Sequence, residues 1–382
     1  MIHRGLFKIW ISARAQGETV GLPVCSIPCF ESAYGKAVDL PVAMLKVIVT
    51  PRGEAMKAFV CTEFGPADGC RVRDIDIESP GKDQVLIEIR SASLNFPDAL
   101  MIEGRYQVKP ALPFVPGVDL AGLVREVGEN VDHVSPGDRV MAFTGEGAFA
   151  EMCLAAKEKV SPMPDGMTFD AAAAAGITYA TAIHALQDGG RLQPDETVLV
   201  LGAAGGVGVA CIEVAKAMGA RIIAAASTGE KLALCRDVGA DMTINYNEAK
   251  LRARILELTG GKGVDVVCDP VGGDATMEAL RATAWGGRLL VIGFAAGDIP
   301  KIPLNYALLS ERAIIGVFWG AWAARNGKAQ RRNMETLSRW FAEGKIKPVI
   351  DSTVSLARIP EAIKRLQARE VKGKVVVRVQ EQ

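Results

Sequence analysis

The sequence predicts an α/β protein in which a doubly wound parallel sheet is joined to a compact, β-barrel-like unit. From about residue 198 onward, short apolar segments alternate with helix-periodic ones, as strands and crossover helices do in a parallel sheet. From Met56 to about Ala156 the apolar segments are short and separated by Gly and Pro, which favours a small barrel. At 382 residues the chain exceeds the usual size of one domain, so we expect two.

The elements follow from these periods. In the first unit a strand opens at Met56, and the later strands are Gln84–Ser91, Val118–Val127, Asp138–Phe143 and Ala148–Ala156. An alanine-rich helix, Asp170–Leu186, leads into the parallel sheet. Its strands are Val198–Leu201, Arg221–Ala226, Met242–Tyr246, Val264–Cys268, Arg288–Ile292 and Ala313–Val317. Helices at Gln330–Ala342 and Ile359–Ala368 and a last strand, Lys374–Val379, are expected to return to the first unit and make it discontinuous.

The first 55 residues show no sustained hydrophobic period. Three interpretations stay open: a start codon assigned too far upstream, a transit peptide, or a true extra element. The segment up to Arg14 is basic and has no acidic residue, as transit peptides require, and that interpretation would place the protein in mitochondria.

Composition limits the class of partner. The 44 basic and 44 acidic residues balance, which argues against a nucleic-acid partner, and there is no uncharged apolar run long enough for a membrane span. The eight scattered cysteines favour buried, free thiols in a reducing compartment, and therefore a cytoplasmic location. With histidine only at positions 3, 133 and 184, no His-based metal site is expected.

The most informative motif is the glycine turn, residues 202–208, which follows the apolar strand at Val198–Leu201 and runs into a helix-periodic segment. Strand, glycine turn and helix form the context in which a dinucleotide pyrophosphate binds, because glycines let the backbone approach the phosphates and the helix N-terminus attracts negative charge. The fingerprint reads Ala203-Ala204-Gly205-Gly206-Val207-Gly208, with alanine in the first place. An ordinary strand-to-helix turn is the alternative.

The residues after the next strand favour NADPH over NADH. A free ribose 2′-hydroxyl prefers a carboxylate about 20 residues past the glycines. Here Ala226, Ser227 and Thr228 occupy that place, and Lys231 lies one turn further on. Hydroxyl and ammonium groups suit a 2′-phosphate, which a carboxylate would repel. Alternatively, Ser227 only caps the following helix and Lys231 is solvated.

From Met56 to the C-terminus the chain resembles the medium-chain dehydrogenase/reductase superfamily, in its zinc-free quinone oxidoreductase (zeta-crystallin-like) branch. The matching runs are Asn95-Phe96-Pro97-Asp98, Gly104-Arg105-Tyr106, Pro116 to Gly122, Gly137 to Val140, Ala203 to Gly208, Leu232 to Asp241 and Gly373 to Val376. The resemblance implies a GroES-like β-barrel catalytic domain (56–181 and 320–382), a Rossmann NADPH-binding domain (182–319) and a homodimer. Residues 1–55 lie outside it.

Departures from the zinc alcohol dehydrogenases decide the class of mechanism. Those relatives carry Gly-His-Glu where this chain has Gly117-Val118-Asp119, so the imidazole ligand is missing. A zinc alkoxide mechanism needs three protein ligands and an open position on the metal. We therefore expect no metal and an acceptor that is already electrophilic, a quinone or an α,β-unsaturated carbonyl, to which positioning and the cofactor supply most of the catalysis.

The resemblance also implies site residues. On the acceptor side, Asn95 lies beside the nicotinamide ribose with an amide that can donate to a carbonyl oxygen, and Tyr106 can donate a proton or stack. The alternatives are a turn-forming asparagine and a packing aromatic. We interpret Asp98 as a helix N-cap and Asp119 as the buried partner of a cation.

On the cofactor side, the implied residues are Ala203, Ala204, Gly205, Gly206, Val207, Gly208, Ser227, Lys231, Tyr246, Gly293, Phe294, Phe318 and Arg369. Ser227, Lys231 and Tyr246 are implied for the 2′-phosphate. Gly293, Phe294 and Phe318 are implied beside the nicotinamide, and Arg369 at the nicotinamide end. Ordinary core or interface packing is the alternative for the aromatic residues.

Two other functions stay open. An enoyl-thioester reductase would use a cationic approach, and Arg325, Lys328, Arg331 and Arg332 supply a basic run. A weakly catalytic, crystallin-like nucleotide-binding protein is the other, but the neutral charge gives no footprint for RNA. Fold alone does not decide between these.

Overall fold

The computed structural model describes residues 10–15, 18–23 and 54–380. Residues 1–51 form a unit of their own, in which β1 (Trp10–Ala15) pairs antiparallel with β2 (Glu18–Pro23). The three interpretations of residues 1–55 otherwise fall outside the described residues. The second unit, residues 52–382, carries all the predicted site residues.

The first part of this unit is built on a seven-stranded, mainly antiparallel sheet. Its strands are β5 (Gln84–Leu94), β6 (Asp119–Val127), β7 (Arg139–Phe143), β8 (Met152–Ala156), β9 (Val160–Pro162), β16 (Ile350–Ser355) and β17 (Lys374–Arg378). The order is β16-β17-β5-β6-β7-β9, with β8 also paired to β5. A separate antiparallel pair joins β3 (Glu54–Val60) to β4 (Arg71–Ile77). The C-terminal β17 pairs with β5, so the last strand of the chain belongs to the same sheet as β5 to β9.

The second part is the doubly wound parallel sheet. Its strands are β10 (Thr197–Val200), β11 (Arg221–Ala226), β12 (Met242–Asn245), β13 (Val264–Asp269), β14 (Thr283–Val291) and β15 (Ala313–Gly316), in the order β12-β11-β10-β13-β14-β15. The crossovers contain α3 (Gly206–Ala217), α4 (Gly229–Asp237), α5 (Leu251–Leu258), α6 (Gly273–Arg281) and α7 (Asn305–Leu308). The predicted fold class, a Rossmann sheet with a GroES-like unit, is confirmed.

Helix α2 (Phe169–Ile183) connects the two sheets. It begins where the Thr168 side chain accepts a hydrogen bond from the Ala171 N–H, and it continues into a π-helical turn at 184–189. Because half of its buried residues are alanine, it packs closely against β5, β6 and β7 on one side and α3 on the other.

The remaining helices follow the parallel sheet. They are α8 (Trp319–Arg325), α9 (Gly327–Ala342) and α10 (Ile359–Gln367). A short helix, α1 (Phe96–Ile102), follows β5 of the seven-stranded sheet. None of the helices in the described residues is long and apolar enough to cross a membrane. The six cysteines in the described residues, at 61, 70, 153, 211, 235 and 268, are buried and unpaired.

Several elements differ from the sequence expectation. β4 and β16 were not predicted, because both are largely polar sequences with few buried positions and show no clear apolar period. β14 begins at Thr283, well before the predicted Arg288, because it includes Trp285-Gly286-Gly287, which reads as a turn. The helix predicted from Gln330 begins at Gly327, directly after α8.

Candidate active site

The glycine turn connects β10 to α3 and has the geometry of a phosphate-binding loop. Gly205 is the extended N-cap of α3, and the first turn of a helix leaves backbone N–H groups without helical partners. A Cβ on Gly208 would lie 2.4 Å from the Gly202 carbonyl oxygen, so only glycine lets the helix start this close to the turn. Ala203 and Ala204, within the turn, are buried. These residues fit a dinucleotide pyrophosphate.

The loop after β13 lies beside the glycine turn. The chain leaves β10 toward β11 on one side and enters β13 on the other, so the C-terminal ends of β10 and β13 form the switch point where doubly wound sheets bind ligands. The buried Asp269 carboxylate accepts hydrogen bonds from the Val271 and Gly272 N–H groups, both at 2.9 Å. A Cβ on Gly202 would lie 2.8 Å from Val271 Cγ2, so the two loops are in contact.

The residues predicted for the 2′-phosphate follow β11 and β12; we call Ser227, Lys231 and Tyr246 the phosphate cluster. Lys231 Nζ lies 3.5 Å from Ser227 Oγ, and the Tyr246 N–H donates to Ala226 O at 3.2 Å. The N-cap of α4 is Thr228, whose hydroxyl accepts from the Lys231 N–H at 3.3 Å. The alternative that Ser227 caps this helix was therefore wrong, and its hydroxyl instead lies beside the Lys231 ammonium.

Arg369 lies on the same side of the site. Its backbone carbonyl accepts a hydrogen bond from Lys231 Nζ at 2.6 Å, and its φ of 59° is left-handed. Its guanidinium is exposed. The structure thus anchors the Arg369 backbone beside the phosphate cluster, whereas the family resemblance implied a place at the nicotinamide end. Contact with the nicotinamide stays a prediction.

The residues predicted beside the nicotinamide follow the late strands of the parallel sheet. The Gly293 N–H donates to Asp269 O at 3.2 Å, and a Cβ on Gly272 would lie 3.0 Å from the Phe294 ring. Phe318 follows β15 as the N-cap of α8 and is 55% exposed. All three therefore lie at the same edge as the glycine turn.

Asn95 and Lys374 meet at the end of β5, where the seven-stranded sheet approaches the glycine turn. Asn95 is the N-cap of α1 and is buried. Lys374 Nζ donates to Asn95 Oδ1 at 2.5 Å and to Leu94 O at 2.9 Å, and Asn95 Nδ2 donates to Ser93 O at 3.1 Å. Lys374 opens β17, so a residue near the C-terminus completes the surroundings of Asn95.

Two buried carboxylates surround this pair; we call Asn95, Asp98, Asp119 and Lys374 the acceptor cluster. Asp98 Oδ2 accepts from the Asn95 N–H at 2.7 Å, and Asp119 Oδ2 accepts from Ser93 Oγ and the Ile177 N–H, both at 3.2 Å. Burial raises the pKa of each carboxyl to about 7, although Lys374 opposes this, and burial lowers the pKa of Lys374 to about 8. Asp98 Oδ1 is the one buried side-chain oxygen or nitrogen in the described residues without a hydrogen-bond partner.

The interpretations of Asp98 and Asp119 can now be compared with the geometry. Asp98 is not the N-cap of α1 but its N3 residue, and with Asn95 it forms a capping box. Asp119 does lie near a buried cation, Lys374, whose charge opposes the rise of its pKa. Neither role identifies a proton-transfer group.

Tyr106 lies near this cluster. It is half-buried and packs against the hydrophobic core around the seven-stranded sheet. Burial raises the pKa of its phenol, and the Asp98 charge adds to the rise. The phenol therefore keeps its proton at neutral pH and can donate it.

The chain matches two family models: the alcohol dehydrogenase GroES-like domain over residues 81–165 and the zinc-binding dehydrogenase over 206–343. The quinone oxidoreductase-like protein 2 homolog of Nematostella vectensis is 37% identical over 85% of this chain and 89% of its own. The structure of a Pseudomonas syringae quinone oxidoreductase superposes with a TM-score of 0.79 at 30% identity, covering 84% of this chain and 99% of that one. A mycobacterial structure in complex with NADPH gives 0.79 at 32% identity over the same shares.

The chain belongs to the quinone oxidoreductase family. It is an oxidoreductase of the medium-chain dehydrogenase/reductase type, as the sequence resemblance implied. Although one matching family model is called zinc-binding, no three His, Cys, Asp or Glu side chains are grouped to hold a metal within the residues that the structure describes. At the positions Gly117-Val118-Asp119, the Asp119 carboxylate faces Lys374.

Sequence reasoning missed two contributors to this quinone oxidoreductase site. Lys374 was quoted only as part of the Gly373–Val376 run, and a lysine opening an apolar strand gives no signal of its own partner. Asn247, whose Nδ2 donates to Ser227 O at 2.9 Å, was passed over beside Tyr246. An amide directly after a parallel strand is the signal that would have identified it.

Proposed function

We propose that this chain transfers a hydride from NADPH to a quinone or to an α,β-unsaturated carbonyl, without a metal ion. The observation that carries the proposal is the meeting of two sites through β17. The Gly373 N–H donates to Ala204 O of the glycine turn at 2.8 Å, and the next residue, Lys374, holds Asn95. A cofactor on the glycine turn and an acceptor at Asn95 would therefore lie in one cleft.

The protein's part on the cofactor side is binding and orientation. The N-terminal amides of α3 attract the pyrophosphate, and Lys231 with Ser227 offers an ammonium and a hydroxyl to the 2′-phosphate. The nearby carboxylate of Glu230 forms an ion pair with Lys372, so a cation accompanies it. NADPH supplies the hydride when bound.

On the acceptor side, the residues stabilise charge on the acceptor oxygen. As hydride adds to the acceptor, negative charge develops on its oxygen, and a preorganised N–H donor is most valuable there. The Asn95 amide supplies that donor, and the Tyr106 phenol supplies the proton that this oxygen takes up. Because the acceptor is electrophilic before it binds, no Lewis acid is required.

We further propose the division into a catalytic domain (56–181 and 320–382) and an NADPH-binding domain (182–319), a cytoplasmic location and a homodimer. Edge strand β15 supports the dimer, because large apolar side chains around it are exposed: Trp285 at 71%, Leu304 at 78%, Leu308 at 77% and Leu309 at 66%. These side chains lie on β14 and around α7, directly beside the edge strand, and an exposed apolar patch of this kind is a surface for association. Sedimentation equilibrium should give a dimer, and Leu308→Glu should shift it toward monomer.

The test of function is anaerobic oxidation of NADPH by chelator-treated protein, with benzoquinone, a simple enone and a short enoyl-CoA as acceptors and NADH in parallel. We expect turnover with the quinone or the enone, unchanged by the chelator. Turnover with the enoyl-CoA alone would replace the proposal with a thioester reductase. NADPH binding without turnover on any acceptor would contradict it.

A further inference from the structure

Lys374 is a buried cation, and both groups that accept its hydrogen bonds lie on the acceptor side of the site. It is 5% exposed, and its ammonium donates to Asn95 Oδ1 and to Leu94 O. An amide can rotate so that its oxygen and nitrogen exchange places, and its nitrogen carries two hydrogens. A cation on Oδ1 permits only one orientation, with Nδ2 as the donating end. Ser93 O accepts one of the two hydrogens, which leaves the second for a ligand oxygen.

The same lysine touches the glycine turn. A Cβ on Gly206 would lie 2.7 Å from Lys374 Cδ, so glycine at 206 makes room for this side chain as well as for phosphates. Gly373, directly before it, has a φ of +74° and would place a Cβ 2.3 Å from Val349 O, which fixes a glycine there too. Lys374 therefore passes from the cofactor loop to Asn95 as one packed side chain.

The charges around Lys374 compensate for the burial of its ammonium. Burying an ammonium is costly unless partners compensate for the lost water. Asp98 on α1 and Asp119 on β6 are the charged groups that act on it, and both favour its protonated form. Apolar side chains would fill this space at lower cost, so the cluster suggests a need for a donor at Asn95.

We propose that Lys374 is a positioning residue for hydride transfer: it orients the Asn95 amide toward the acceptor oxygen and links that orientation to the glycine turn. The proposal rests on the proposed function, since it assigns Lys374 a part in that reaction. It predicts that Lys374 acts on catalysis through Asn95 and not through cofactor binding.

The experiment is a double-mutant cycle with Lys374→Met, Asn95→Ala and the double variant, assayed with NADPH and benzoquinone. We expect Lys374→Met to lower kcat by roughly tenfold to a hundredfold, as misplacement of a positioned group does. Because Lys374 acts through Asn95, the double variant should be within about twofold of Asn95→Ala alone. The NADPH Kd, from quenching of protein fluorescence, should change by less than about threefold in all of them. Lys364→Met, at an exposed lysine of α10, is the control and should match the wild type.

Losses that multiply in the double variant, or a kcat for Lys374→Met equal to that of the wild type, would overturn the proposal. If Lys374→Met fails to fold, the variant Lys374→Met/Asp119→Asn takes its place in the cycle, because it removes one buried carboxylate together with the ammonium. A crystal structure of the lysine variant, at a resolution that distinguishes the amide oxygen from the nitrogen, gives a readout without turnover. The Asn95 amide should move or exchange its oxygen and nitrogen, and an amide unchanged in both position and orientation contradicts the inference. If the wild type reduces no acceptor, the proposed function fails, and the crystal structure still decides whether Lys374 orients Asn95.

Discussion

The cofactor side and the acceptor side of this site are built in opposite ways. The glycine turn is contiguous in sequence and uses backbone amides and close packing, as at Gly208 against Gly202 O. The acceptor cluster takes side chains from distant segments, with Asn95 and Lys374 separated by 279 positions, and it buries three ionisable groups. Cofactor binding should therefore be sensitive to backbone shape, and the acceptor side to charge.

The largest expected effect is on the cofactor side. In Gly208→Ala, the new Cβ would meet Gly202 O at 2.4 Å and the Ala203 backbone at 2.7 Å, and neither can move without distorting the turn. We expect a loss of about 1–3 kcal/mol in the free energy of unfolding. The NADPH Kd should rise by at least about tenfold.

The matched control is Gly327→Ala, at the first position of α9, where a Cβ meets nothing within 4 Å. It should leave the NADPH Kd unchanged and hold or slightly raise stability, because alanine is the better helix former. Urea unfolding and fluorescence titration measure the two quantities. Equal effects of the two variants would show that backbone shape at the glycine turn is unimportant.

A smaller effect is expected at the phosphate cluster, where a side chain and not the backbone acts. Lys231→Ala removes the ammonium beside Ser227 but keeps the backbone N–H that Thr228 caps, so α4 should stay intact. A hydrogen bond to a charged group contributes about 1.5–3 kcal/mol, so the NADPH Kd should rise roughly tenfold to a hundredfold.

The NADH Kd of Lys231→Ala should stay nearly constant, because NADH lacks the 2′-phosphate. Lys364→Ala, at the exposed lysine that pairs with Asp68, serves as the control. Parallel weakening of both cofactors would mean that Lys231 acts by holding Arg369 O and does not recognise the phosphate.

The sequence predicted the cofactor side better than the acceptor side, because the first is contiguous in sequence and the second is assembled from distant segments. The glycine turn follows a strand of four apolar residues, so local periodicity located it, and the predicted Arg221–Ala226 strand matches β11. Lys374 and Asp119 come near each other only because β17 pairs with β5 and β5 pairs with β6, and no local pattern encodes that arrangement. The family resemblance supplied Asn95, but its orientation depends on the lysine that sequence reasoning missed.

The smallest expected effect tests the charge of the acceptor side through pH. Burial raises the pKa of Asp119 from 3.8 to about 7, so the folded state holds a proton that the unfolded chain releases earlier. Its contribution to stability is therefore complete below the unfolded pKa and is lost as the pH rises through about 7. Asp119→Asn cannot ionise, so the fall in the free energy of unfolding between these pH values should be shallower than in the wild type. Urea unfolding at a series of pH values measures it.

Glu230→Gln, the same chemical change at an exposed carboxylate of the cofactor side, should leave the slope as it is in the wild type. A slope equally reduced in both variants would mean that the pH dependence belongs to surface charge in general. A slope unchanged in Asp119→Asn would mean that Lys374 holds this carboxyl ionised throughout. In that case the charges of the acceptor cluster do not change with pH. Removing one of its charged residues would still destabilise the protein, but titration would not.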